Sequence, residues 1–440
     1  MYRLYPSNGM YLNESDSNDY PGSYEQHASL VTPGSCGNQC EGCSAAHNIV
    51  SITFILTENC NLDCTYCYEK GKTKRKMSQE VAKKAIDFIL SDKIYPYFDK
   101  DRVKGVVIDL FGGEPFMNTE VMNFIADYFN EQCLIKKPEW LLSSMFSTTT
   151  NGTLYFSKGS QEFINKTKNK LSLGITIDGD KELHDACRVF HDRRGSYDVV
   201  VEGIKHWNQI SATVPSTKVT IAPGNVDKLF KAFKHLWEDV GIQVLNSNCV
   251  FEEGWTLEHA KELYKQLKDV ADYLLEDERY ARYYTSFFEE RCGDKMDEDA
   301  LSRNYCGGNG AMLAIGVDGK LYTCMRFAQY ALGENVEHSI GDLDNGIQLD
   351  DPWLINLKNV TMRSQSPQEC LDCEVSLGCG ICTGYHYDHF NDVNKRATYI
   401  CHMHKARVCA AAYYYNKLYK KLNLNKTFEL RIPNIYEEEL

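Results

Sequence analysis

The chain has 440 residues, 43% of them hydrophobic, with 18 cysteines and a formal net charge of -13 at pH 7. That length can hold more than one domain with its own core, and the acid excess excludes a nucleic-acid backbone as the main partner, because phosphates need a basic face. No apolar run approaches the ~20 residues that span a bilayer and no signal pattern opens the chain, so this many cysteines point to metal or catalysis rather than disulfides, in a cytoplasmic, reducing setting away from membranes.

Residues 1–48 are rich in Ser, Asn, Gly, Pro and Tyr, with little periodicity, and read as an irregular N-terminal arm. Cys36, Cys40 and Cys43 stand in it with a C-x3-C-x2-C spacing, but no strand-like run precedes them. A second metal site, a ligand lent to a neighbouring cluster and free thiols are all compatible with that pattern.

From residue 49 to about 278 a strand-then-helix unit recurs six times. Strands are predicted near 49–56, 105–111, 144–150, 171–177, 217–222 and 242–249, and helices near 78–91, 119–132, 160–169, 196–209, 225–239 and 256–277. Ser78, Thr119, Ser160, Ser196, Asn225 and Thr256 stand at or beside the helix starts, where side-chain oxygens can cap free amides. Repeated βα units make a parallel sheet, and ligands of such sheets sit at the carboxyl ends of the strands.

The unusual motifs fall at those ends. Cys60, Cys64 and Cys67 follow strand one as a second C-x3-C-x2-C triplet. Three thiolates do not close a tetrahedral zinc site alone, but they can hold three irons of a [4Fe-4S] cluster and leave the fourth open. Buried thiols, or a zinc site completed from afar, are the alternative. Phe111-Gly112-Gly113-Glu114-Pro115 follows strand two; its glycines allow close backbone approach to a ligand, and a carboxylate pairs with an ammonium. Thr149-Thr150-Asn151-Gly152-Thr153 ends strand three, and Thr176-Ile177-Asp178-Gly179, with His184, Asp185 and Arg188 downstream, ends strand four. Singly these are ordinary turn sequences; their shared placement is the signal.

Beyond a boundary near residue 290 the composition shifts to glycines and paired cysteines. Cys306, Cys324, Cys370, Cys373, Cys379, Cys382 and Cys401 follow in order. Paired C-x2-C groups are also zinc-like, so zinc ribbons are the alternative to iron-sulfur clusters. Cys133, Cys187, Cys249 and Cys409 match no cluster spacing.

The Cys60 triplet, with Tyr66 before its last cysteine, and the GGEP segment make residues 49 to about 402 resemble radical S-adenosylmethionine enzymes with a SPASM extension, specifically peptide maturases. The resemblance implies an α/β fold: a partial (β/α)6 TIM-like barrel over residues 49–289, open on one side, followed over 290–440 by a cysteine-rich auxiliary iron-sulfur (SPASM) domain with a C-terminal helix. It implies S-adenosylmethionine and three [4Fe-4S] clusters. Cys60, Cys64 and Cys67 would hold the catalytic one, and Tyr66, Gly112, Gly113, Glu114, Pro115, Asn151, Thr176, Asp178 and Arg188 would line the cofactor pocket. Cys306, Cys324 and Cys382 would hold auxiliary cluster one, and Cys370, Cys373, Cys379 and Cys401 auxiliary cluster two. Cluster one is then a ligand short, with Cys292 the candidate fourth. One spacing departs from the family, which usually has three residues where Gly380-Ile381 stand.

The implied chemistry is reductive cleavage of S-adenosylmethionine to a 5'-deoxyadenosyl radical that attacks a substrate. Sulfatase maturases of this architecture place an Asp directly after the cysteine answering to Cys324, where Met325-Arg326-Phe327 stand here. That context, with Gly341-Asp342-Leu343, resembles maturases of ribosomally made peptides. The expected partners are a precursor peptide and an external electron donor of flavodoxin or ferredoxin type, and leader recognition is expected to use another surface or a separate protein. Three functions follow: a crosslinking peptide maturase that forms a thioether, a radical dehydrogenase or maturase acting on a folded protein or small substrate, and a non-catalytic electron carrier.

Overall fold

The computed structural model describes residues 2–5, 10–13, 49–95, 97–101, 103–211, 213–333 and 335–437. Cys36, Cys40 and Cys43 lie outside the described residues. The arm is not irregular throughout: Tyr2–Tyr5 pairs antiparallel with Met10–Asn13, Tyr2 opposite Asn13. Among the described residues no helix is long and apolar enough to cross a membrane.

The first barrel strand, β1 (Ile49–Thr57), is a run of Ile, Val, Phe and Leu buried on both faces, as a central parallel strand requires. It pairs in parallel with β2 (Gly105–Gly112), β2 with β3 (Ser144–Thr150), and β3 with β4 (Leu171–Ile175). The wall is then interrupted. Strands β5 (Ser216–Ile221) and β6 (Val244–Cys249) form a second parallel sheet with a short β7 (Tyr284–Thr285). One side-chain bond spans the gap, from Thr217 Oγ1 to the carbonyl of Ile175 at 2.6 Å.

Helices α1 (Gln79–Ile89), α2 (Thr119–Lys136), α3 (Lys158–Thr167), α5 (Tyr197–Ile210), α6 (Leu229–Glu238) and α7 (Leu257–Leu275) connect the strands near their predicted positions. A further one, α4 (Lys181–Cys187), has seven residues, too few for a periodic signal, and starts where the Asp180 carboxylate accepts from the amide of Leu183. Of the predicted caps, Ser78 accepts from the amide of Val81, and Thr256 forms a reciprocal capping box with His259. The others are spent differently: Thr119 is already helical, Ser160 is preceded by the true cap Ser157, the Ser196 hydroxyl goes to the carbonyl of Arg188, and the Asn225 side chain accepts from the amide of Ala222. Thr256→Ala should therefore destabilise the barrel by ~1 kcal/mol in denaturant unfolding, whereas Thr119→Ala should cost less.

The chain beyond residue 290 continues the barrel sheet past its first strand. Strand β8 (Met312–Ile315) pairs in parallel with β1, Met312 opposite Ser51, and β9 (Lys320–Tyr322), β10 (Gly341–Asp342) and β11 (Gly346–Ile347) continue the same sheet antiparallel. An unpaired edge would leave a row of amides and carbonyls bare, and these strands satisfy it. Beside other helical segments such as Pro352–Asn359, the C-terminal region carries α8 (Thr383–Phe390) and α9 (Cys401–Lys421). Arg407 of α9 is a buried tie, donating to the carbonyls of Ser286, Phe287 and Gly378 and pairing with Glu289 at 3.0 Å.

Candidate active site

The loop after β1 carries Cys60, Cys64 and Cys67, and backbone bonds pin it to the segment after α4. The amide of Asp63 donates to the carbonyl of Val189 at 2.8 Å and that of Thr65 to the carbonyl of Cys187 at 3.0 Å, while His191 Nε2 meets the carbonyl of Cys60 at 3.0 Å. Donors converge on the sulfurs. The amide of Leu62 and Asn151 Nδ2 stand 3.5 and 3.7 Å from Cys60 Sγ, and Lys72 Nζ stands 3.1 Å from Cys67 Sγ. Burial pushes the Cys60 thiol up to about 12, and burial with the neighbouring Cys67 raises Cys64 against the pull of Arg188. The protein thus opposes free thiolates at Cys60 and Cys64, while a cationic metal core would favour them. Glu69, buried beside this loop, is pushed by burial up to about 7 despite Lys72, whose ammonium lies 3.8 Å away.

The glycines of the Phe111–Pro115 motif let one backbone segment lie close to another. A Cβ at Gly112, where φ is +147°, would come 2.3 Å from the carbonyl oxygen of Thr57, and one at Gly113 would come 2.4 Å from that of Asn59. They let the end of β2 lie against the backbone that leads into the thiol loop, and the amides of Gly113 and Glu114 donate to those two carbonyls. Glu114 is fully buried. Its carboxylate accepts from the Thr150 hydroxyl at 2.6 Å, the amide of Asn151 at 2.7 Å and the amide of Phe116 at 3.0 Å, so it clasps the end of β3. Pro115 opens the short helical turn Pro115–Asn118 that follows. Asn151 in turn reaches Asn61 at 2.9 Å, joining the turn after β3 to the thiol loop.

Beyond β4 the residues form a buried network. Tyr66 donates to the Asp178 carboxylate, and Arg188 Nη1 donates to the Tyr66 hydroxyl at 2.7 Å. Burial drives Asp178 upward, offset by the Arg188 guanidinium, which also faces Cys64. Two buried atoms of this network, Asp178 Oδ1 and Arg188 Nε, have no partner. A polar atom left unpaired deep in a protein calls for an explanation, and a bound group that completes the bonding is one. His184 and Asp185 are struts. Ser196 donates to the carbonyl of Arg188, which makes His184 Nε2 the donor to the Ser196 hydroxyl at 2.9 Å, and burial lowers this imidazole to about 3. Asp185 holds the amide of Tyr197. Thr176 is buried, its amide bonded to the carbonyl of Thr150.

The later cysteines gather into the sets their order suggests. Cys324 lies in the field of Cys306 and Cys382, and a Cβ on Gly308 would sit 3.2 Å from Cys324 Cβ and 3.5 Å from Cys306 Sγ. Cys370 faces Cys379 and Cys401, and Cys379 faces Cys401 and Cys373, with Arg396 beside both. Cys292, the candidate fourth ligand of the first set, packs elsewhere. Its thiol lies by Arg407, Glu289 and Cys409, and its Cα is 2.5 Å from where a Gly378 Cβ would stand. Among the described residues no three His, Cys, Asp or Glu side chains converge on a point that would hold a single metal ion.

Residues that sequence patterns did not single out complete the region. Lys72 stands in the basic run of residues 70–76, where a charged side chain ordinarily faces solvent. The Arg326 guanidinium lies 4.1 Å over the ring of Tyr68, bringing the Cys324 segment against the thiol loop.

Residues 49–196 match the model of a 4Fe-4S single cluster domain. The cysteine-type anaerobic sulfatase-maturating enzyme of Clostridium novyi is 25% identical over 40% of this chain and 46% of its own, so the chain spans under half the length of that curated relative. The radical SAM cyclopropyl synthase TigE of Paramaledivibacter caminithermalis is 21% identical over 85% of this chain and 78% of its own. Native anSMEcpe with bound AdoMet and the Kp18Cys peptide has the same fold, with a TM-score of 0.63 at 18% identity over 85% of this chain and 99% of its own. In fold and in the placing of the thiol loop the chain is similar to radical S-adenosylmethionine enzymes, among them sulfatase-maturating enzymes and the cyclopropyl synthase.

Proposed function

We propose that the protein is a peptide maturase that reductively cleaves S-adenosylmethionine and closes a thioether between a Cys sulfur and a carbon of another residue in a ribosomally made precursor peptide. The observation that carries this reading is the facing of two three-thiol sets, Cys60, Cys64 and Cys67 on one side and Cys306, Cys324 and Cys382 on the other, with Tyr68 and Arg326 in contact between them. The residue directly after Cys324, where a sulfatase-type Asp would be sought, is Met325, whose thioether is no proton acceptor for this step.

When bound, S-adenosylmethionine and the clusters would supply the electron, the hydrogen-abstracting radical and the acceptor for the electron released as the C-S bond closes. Cys60, Cys64 and Cys67 would hold the first cluster, with Leu62, Asn151 and Lys72 donating to its sulfurs. Asp178 and Arg188 would take up the cofactor's polar groups with their unpaired atoms, and Glu114 would fix the Asn151 turn rather than meet the cofactor itself. Cys306, Cys324 and Cys382 would hold a second cluster with a position left for the peptide thiolate, and Cys370, Cys373, Cys379 and Cys401 a third. Closing the thioether would release one hydrogen atom from the attacked carbon, the thiol proton and one electron; the bound cofactor would take up the hydrogen, solvent the proton, and an external carrier of flavodoxin or ferredoxin type the electron.

The test is anaerobic reconstitution with iron and sulfide, followed by dithionite and S-adenosylmethionine. Iron of about 12 per chain, four for each cluster, and formation of 5'-deoxyadenosine are expected. With a Cys-containing peptide encoded beside this chain, the product should weigh two hydrogens less and resist alkylation at one Cys. The same mass loss with every Cys alkylatable would replace the thioether with a carbon-carbon link or a dehydrogenation.

A further inference from the structure

Strand β5 carries a cation that the reaction outlined above leaves unused. Thr217, Val219 and Ile221 are buried, while Lys218 between them is exposed. Side chains alternate across a strand, so Lys218 points away from the face that those three bury. Its ladder partner on β6 is Asn246. Solvent reaches the side chain, and the groups around it place the ammonium on the lumen side of the strand. Its charged neighbours are Arg326 and Cys382 from the C-terminal region, and Arg188 and Asp178 from the end of the barrel. Lys218 therefore stands in the space between the two thiol sets.

Arg326 approaches the same space from the other side. It follows Cys324, its guanidinium lies 4.1 Å over the Tyr68 ring, and a Cβ on Gly384 would come 2.4 Å from its own, so its backbone is held closely. Its charged neighbours are Cys382, Tyr68, Glu252 and Cys324. No described hydrogen bond or ion pair takes the Lys218 ammonium or the Arg326 guanidinium. Two cations held near each other in an enclosed space repel strongly; of the two carboxylates near them, Asp178 already takes the Tyr66 hydroxyl and faces Arg188, which leaves Glu252 for both. An anion entering the lumen would relieve this, and a planar carboxylate fits the guanidinium fork.

We infer that Lys218 and Arg326 form a carboxylate-binding subsite in the lumen, which takes an Asp or Glu side chain of the peptide and so selects substrates with an acidic residue near the one modified. This rests on the peptide-maturase reading and names the class of peptide. The site lies where a bound residue would be within reach of both thiol sets, so the contact would also fix the register of the peptide.

The experiment titrates the reconstituted full chain, in calorimetry, with acetyl-Ala-Glu-Ala-amide and acetyl-Ala-Gln-Ala-amide, with S-adenosylmethionine present at increasing concentrations. The Glu peptide should bind at least tenfold more tightly than the Gln peptide, and the preference should disappear in Lys218→Met and in Arg326→Gln but persist in Lys218→Arg. Equal binding of the two peptides, or binding of neither, would overturn the subsite. Loss of the Glu peptide's advantage as S-adenosylmethionine rises would also overturn it, by assigning the cations to the cofactor's own carboxylate. Formation of 5'-deoxyadenosine by the same unmutated sample is assayed separately, so a failure of the radical reading is seen apart from a failure of the subsite.

Discussion

Alanine at Cys60, Cys64 or Cys67 should abolish reductive cleavage of S-adenosylmethionine, measured as 5'-deoxyadenosine formed under dithionite. Each of these sulfurs sits in a loop whose position is fixed by bonds to residues 187–191, so the lost ligand has no mobile neighbour to replace it. Loss of an outer partner should be milder. Asn151→Ala and Lys72→Met each remove a donor to a sulfur and should cost ~10–100-fold, the range seen when outer-shell partners of metal sites are changed. Cys370→Ala or Cys373→Ala should leave cleavage measurable while no finished product forms, because those thiols lie in the separate set with Cys379 and Cys401. Full cleavage activity in Cys64→Ala would remove the active-site assignment.

The second large effect belongs to Glu114. Glu114→Ala would strand the Thr150 hydroxyl and the amides of Asn151 and Phe116 in a buried place, at ~1–3 kcal/mol for each donor left without an acceptor. A net loss of ~3–5 kcal/mol, as for other broken buried charge networks, should appear as a lowered urea midpoint, together with poorer retention of iron as the Asn151 turn comes loose. Glu114→Gln keeps one oxygen in place and should recover part of the stability. Equal stability of Glu114→Ala and the unmutated protein would mean that the clasp is not what fixes this turn.

Much of this site was legible in the chain because its residues sit at fixed places relative to strongly periodic elements. Strand one is a nine-residue apolar run, and the motif after each strand could be placed without knowing any contact. What escaped was long-range. That β4 and β5 share no ladder depends on how the strands approach, which composition does not record. Strand β8 has four residues, too short for a pattern, and its partner β1 lies more than half the chain away. The Gly112 and Gly113 pair was recognisable as a place of close approach, but not that the carbonyls of Thr57 and Asn59 are among the approaching atoms. Cys292 looked like a ligand from its order among the cysteines, and its burial beside Arg407 could be seen only once α9 was in place. Lys218 and Arg326 escaped because a lone cation on a strand or after a cysteine carries no pattern of its own.

The ladder between β8 and β1 also sets an order of events during synthesis. Strand β1 leads directly into the thiol loop, yet one of its two edges stays bare until Met312–Ile315 has left the ribosome, some 260 residues later. A nascent chain carrying the barrel alone would present a flat, apolar template of unpaired amides beside reactive thiols, the kind of edge on which other strands pair. Closure by β8 therefore acts as a late quality check: a chain cut short before it is left with an aggregation-prone edge beside the loop that would receive iron.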